Sequence, residues 1–98
     1  MKRTPRKQGD HDTEVKKVAE RLRRQGWNVK ADLPGYGKPS PIGKDKRIPD
    51  VEATKHGHRK LIEVETPESL EKDREQQLTF RRHAGQKPNT TFDIDVTN

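Results

Sequence analysis

Arg47-Ile48-Pro49-Asp50-Val51-Glu52-Ala53 and Lys60-Leu61-Ile62-Glu63-Val64-Glu65-Thr66 flank the polar segment Lys55-His56-Gly57-His58. Apolar β-formers interleave with polar residues on both sides of a Gly-containing turn, the pattern of a β-hairpin. Side chains alternate faces along a strand, so Glu63 and Glu65 fall on one side while Ile62 and Val64 fall on the other. Two like charges so placed repel by a few tenths to about 1 kcal/mol. If the hairpin closes at Gly57, Asp50 on the partner strand lies close to Glu63. A fold gains nothing from gathering three carboxylates, whereas Mg²⁺ is held by one or two carboxylates together with waters and phosphate oxygens. His56 and His58 flank Gly57 with no third metal ligand near them, and they read as turn residues.

Upstream of the hairpin, Val15, Val18, Ala19 and Leu22 recur at helical spacing and predict a helix from about Asp12 to Gln25, with Asp12 or Thr13 as cap and Gly26 as stop. Glu14 lies in its first turn, where a carboxylate favours the helix dipole. Residues 1–11 read as a flexible basic arm in which Arg6 and Lys7 either follow a phosphate backbone or are simply solvated. Trp27 to Leu33 alternates as a first strand, with Trp27 filling the core. Residues 34–46 are too rich in Gly and Pro for regular structure and read as a long loop. Its Lys38, Lys44 and Lys46 either contact nucleic acid or belong to a flexible linker.

Downstream, Thr66-Pro67-Glu68 is a helix start. The helix is expected to reach about His83 or Ala84, with Gln76 and Phe80 on one face. Thr91 to Thr97 alternates with Phe92, Ile94 and Val96 on one side, a last strand. The element order is then αβββαβ, an α/β (α+β) domain over residues 12–98 with a four-stranded mixed sheet flanked by two helices.

Pro49-Asp50, Glu63 and this element order resemble the PD-(D/E)XK nuclease superfamily, with its restriction-endonuclease-like core. Glu65 stands where most of that superfamily carries lysine. The words Glu-Val-Glu-Thr-Pro-Glu-Ser before the second helix are similar to those of small prokaryotic members. The resemblance implies phosphodiester hydrolysis on DNA with Mg²⁺ or Mn²⁺. It makes Asp50 and Glu63 metal ligands, and Glu65 either a further ligand or the base on the attacking water. It adds Glu14 as an extra ligand and Gln76 as a residue bordering the site. The missing lysine charge is assigned to Lys72, because Lys60 has the wrong strand parity relative to Glu63. The alternative is a nuclease-like module, weakly active or inactive, that binds nucleic acid or serves as an accessory subunit. The resemblance also makes a homodimer plausible.

Composition bounds these readings. The 98 residues are 39% charged and 24% hydrophobic, so one small domain with a thin core is the most this chain builds. The net charge of +6 favours an anionic partner, of which nucleic acid is the commonest. An interaction domain whose basic charge is incidental is the third reading. Cysteine is absent, which fits a reducing interior. Neither a signal-peptide core nor a membrane-length apolar run is present, and a cytoplasmic protein without membrane attachment is expected.

Overall fold

A computed structural model of the chain describes residues 5–97, without the side chains of residues 5–8 and 10. In chain order the elements are α1 (Pro5–Arg24), β1 (Asn28–Ala31), β2 (Val51–Lys55), β3 (His58–Glu65), α2 (Ser69–Lys72), α3 (Arg74–Gln86) and β4 (Thr90–Val96). The architecture is α+β, with one four-stranded mixed sheet and three helices. Sheet order is β1-β2-β3-β4, with β1–β2 and β2–β3 antiparallel and β3–β4 parallel. Among the described residues no helix is long and apolar enough to cross a membrane.

α1 begins seven residues before the expected Asp12. Proline is tolerated in the first turn of a helix, and His11 extends the buried stripe of Val15, Val18 and Leu22 by one more turn. The segment expected to be a flexible arm is therefore helical from Pro5. Residues 1–4 and the side chains of Arg6 and Lys7 lie outside the described residues. At its other end α1 stops as the sequence predicts. Gly26 takes φ +91°, its N–H donates to Arg23 O and the Trp27 N–H donates to Leu22 O, a Schellman closure that uses two orphan carbonyls.

The hairpin closes through His56 and Gly57, since Lys55 pairs with His58. Both turn residues have positive φ, 49° and 82°, the requirement of a type I′ turn whose twist matches the flanking strands. This register sets Val51 against Ile62 and so brings Asp50 opposite Glu63. β2 starts at Val51 rather than Ile48, because Pro49 has no N–H to give to a ladder.

Each sheet face carries its own core. On one, the α1 stripe packs on Val29, Ala31, Val51, Ala53, Ile62 and Val64. On the other, Leu61 and Phe80 meet Ile42, with Phe92 at the edge and the two phenylalanine rings 5.8 Å apart. Ile42 comes from the Pro/Gly-rich segment, which is pinned by an antiparallel bridge to Arg47 and so completes the second core. The second helix differs from the single helix expected: it breaks at Asp73 (φ −95°, ψ 21°) into α2 and α3.

With so small a second core, Phe80→Ala is expected to cost about 3–5 kcal/mol, a large part of a stability on the order of 5–15 kcal/mol. Leu78, 47% exposed on the same helix, is expected to change stability by less than about 0.5 kcal/mol when replaced by alanine. Urea unfolding of both variants measures the difference.

Candidate active site

The ladder between β2 and β3 ends at Pro49, and side chains take over there. The Asp50 N–H donates to Glu63 Oε1 at 2.9 Å, and the Val64 N–H donates to Asp50 Oδ2 at 2.8 Å. Each of two backbone donors that would otherwise lack a partner is thus answered by a carboxylate. His11 Nε2 lies 3.2 Å from the same Asp50 oxygen, and His11 Nδ1 lies 3.3 Å from Asp12 Oδ1.

Glu63 and Glu65, 2% and 0% exposed, point to the α3 side of the sheet. Alternate strand residues are roughly 7 Å apart, and two consecutive glutamines of α3 span that gap. Gln76 Nε2 donates to Glu63 Oε2 at 2.7 Å, and Gln77 Nε2 donates to Glu65 Oε2 at 2.8 Å while also donating to Leu70 O. The glutamines reach the strand because the chain turns tightly after β3. The Thr66 N–H donates to Ser69 Oγ and the Ser69 N–H to Thr66 Oγ1, a reciprocal cap. Ser69 Oγ also donates to Glu65 Oε1 at 3.4 Å.

Burial pushes the Glu63 carboxyl up to about 9, and the neighbouring Asp50 charge adds to it. The Asp50 N–H and the Gln76 amide act in the opposite direction. Burial likewise pushes Glu65 up to about 7, helped by Asp73 and by the Asp50 charge, against the Gln77 amide. Both Glu63 oxygens accept hydrogen bonds, the arrangement that suits the ionised form, yet the surroundings oppose ionisation. Glu52, on the same sheet face, has the opposite fate. Burial opposes its charge, but the Ser40 N–H and Arg59, with Nη2 2.7 Å from Oε2, hold it below the usual carboxylate range. The chain gives Glu52 an arginine. Among the described contacts, Glu63 and Glu65 meet neutral amides and a hydroxyl, with the Asp73 carboxyl also against Glu65.

Asp50 and Glu63 form an all-oxygen pair of the kind that suits Mg²⁺ or Mn²⁺. Both described donors to the Asp50 carboxylate converge on Oδ2. Among the described residues no three His, Cys, Asp or Glu side chains are arranged to hold a metal. A cation here would therefore rest on two carboxylates, with water or phosphate oxygens completing its shell.

Of the other residues singled out in the sequence, Gln76 joins this group. Glu65 lies on the same face but is tied to Gln77 and Ser69. Glu14 bonds to Asp95 instead, and that bond, with burial, raises its carboxyl above the usual range. Lys72 is exposed at the end of α2, with no described contact to the acids. Lys38, Lys44 and Lys46 are exposed, Lys44 lining a cleft against Arg82 and His83 of α3. Lys60 sits over the Trp27 ring, Nζ 5.3 Å from its centroid, away from the acids. His56 and His58 are exposed at the hairpin turn.

Sequence reasoning missed His11 and singled out Gln76 without the Gln77 contact to Glu65. The signal for His11 was its place four residues before Val15, in phase with the apolar stripe. Comparison with known protein families, with characterised proteins and with solved structures finds no match to this chain.

Raised carboxyl pKa values fix the sign of a pH effect. The folded state holds the Glu63 proton more tightly than the unfolded chain, so the metal-free protein has this contribution in full below about pH 4.5 and loses it as pH rises toward about 9. The melting temperature without metal is expected to fall by at least about 5 °C between pH 5 and pH 9. Glu63→Gln, which cannot ionise, is expected to flatten that slope, and thermal melts in EDTA across this range measure it.

Proposed function

We propose that this chain is a Mg²⁺- or Mn²⁺-dependent endonuclease of the PD-(D/E)XK type, hydrolysing phosphodiesters in DNA on a restriction-endonuclease-like core. The observation that carries the reading is the contrast between Glu52 and the Asp50–Glu63 pair. Glu52 is neutralised from within by Arg59, whereas Glu63 and Asp50 are held together and oriented with no described lysine or arginine beside them. In the metal-free protein a proton on Glu63 offsets the pair's charge, and a bound cation would take the proton's place on carboxylates that the hydrogen bonds already orient.

Asp50 and Glu63 would hold the ion. When bound, it would stabilise charge on the phosphate and lower the pKa of a water. The chain's own groups fix its position: the Val64 N–H and His11 orient Asp50, while the Asp50 N–H and Gln76 orient Glu63. Glu65, bound on both oxygens, acts as a support for the start of α2 and α3. The net charge of +6 supports an anionic partner. This reading keeps a cytoplasmic setting and is compatible with a homodimer.

One observation favours a second reading, a nuclease-like module that binds nucleic acid with weak or no cleavage. Glu65 occupies the lysine position and Lys72 is exposed, so among the described residues no lysine or arginine is paired with Asp50 or Glu63, and the basic group beside them is His11.

Plasmid and branched-DNA cleavage with Mn²⁺ separates the two readings. Wild type is expected to nick, Asp50→Ala and Glu63→Ala to abolish nicking, and Gln76→Ala to reduce it by about 10–100-fold. Equal nicking by all four proteins overturns the assignment. Salt-sensitive binding without nicking supports the second reading.

A further inference from the structure

At the hairpin end of the sheet, away from the carboxylates, a cleft of about 460 Å³ opens between the start of β1, the His56-Gly57 turn and the start of β4. Trp27, Lys55, His58, Lys60, Asn89 and Thr91 line it, and none of its described lining residues is acidic. Trp27 is the only tryptophan. Part of its ring packs against the α1 core, and the lysine Nζ atoms lie 5.6 Å (Lys55) and 5.3 Å (Lys60) from its centroid. Lys55 donates to Gln25 O at 2.7 Å, and neither lysine is paired with a carboxylate among the described residues. Arg59, by contrast, is already neutralised by Glu52.

The indole is only partly buried against the α1 core, and its exposed part lies beside two ammonium groups that have no carboxylate partner among the described residues. The cleft has the size of a small-ligand site, and its chemistry is that of a stacking platform with phosphate contacts. Duplex DNA keeps its bases stacked inside, so a base reaches Trp27 only from an unpaired strand. Thr91, which pairs with Lys60 across β3–β4, and Asn89, held at φ +59°, add exposed polar groups at the rim.

We propose that this cleft binds single-stranded nucleic acid, with phosphates at Lys55 and Lys60 and a base against Trp27, as a site separate from the carboxylate pair. The site needs no metal, so its test is independent of the nuclease reading.

Titration of the full chain with a short oligothymidylate in EDTA, followed by intrinsic Trp27 emission, tests it. Saturable quenching is expected, with affinity falling as salt rises by a slope of about 0.7 per phosphate engaged. Lys60→Glu and, separately, Thr91→Glu, each checked for folding by circular dichroism, are expected to weaken binding by about tenfold or more. Unchanged emission overturns the proposal, as does equal affinity of both variants and wild type. It also falls if inorganic phosphate at matched phosphate concentration gives the full response, which would mean a simple anion site.

Discussion

The constraint from which the rest of this structure follows is the premature end of the β2–β3 ladder at Pro49. A proline there cannot donate, so the two strands part and the Val64 and Asp50 N–H groups need other acceptors. Asp50 and Glu63 supply them with their side chains. The same two contacts that close the sheet therefore concentrate negative charge at its rim. Structural need and chemical potential are joined at this point, because a residue with no acceptor at either position would leave a backbone donor without its partner.

That arrangement is tolerable only because of how the α3 face is divided. Leu61, Phe80 and Ile42 form a dry centre, and the buried acids lie to either side of it. On the hairpin side Glu52 is answered by Arg59, which also reaches His83 of α3. On the other side Glu63 and Glu65 meet Gln76 and Gln77. An amide donor satisfies a lone pair without cancelling charge, so burial still raises both carboxyls. Replacing either glutamine with lysine would relieve the charge and, on the nuclease reading, compete with the metal. On that reading, the use of amides leaves the Asp50–Glu63 pair open to a cation.

Much of this was legible from residue order. The hairpin, the Asp50–Glu63 juxtaposition and the α1 stripe follow from period-two and period-3.6 patterns that long elements preserve. Gly26 and Gly57 marked their turns because both sit at positive φ. What escaped depended on contacts between distant segments. Ile42 looked like loop because its partners, Leu61 and Phe80, are separated from it in sequence, and local composition was dominated by Pro and Gly. His11 was lost in a basic stretch whose single apolar-phase residue is itself polar. The break at Asp73 had no local breaker: Gln77 donates to both Leu70 O and Glu65 across it, a tertiary effect that no propensity encodes.

β3 also explains how two candidate sites fit at opposite ends of one small domain. Its eight residues run from the basic turn to the acidic rim, with Arg59, Leu61, Glu63 and Glu65 facing α3 while Lys60, Ile62 and Val64 face α1. Charge is therefore sorted along the strand and across it. The excess lysines collect around Trp27 at the end where β2 and β3 are joined, and the carboxylates collect where they separate. An anionic strand would be attracted at the first end and repelled at the second unless a cation intervened, so metal occupancy at the rim would govern how far a bound strand can extend along the sheet.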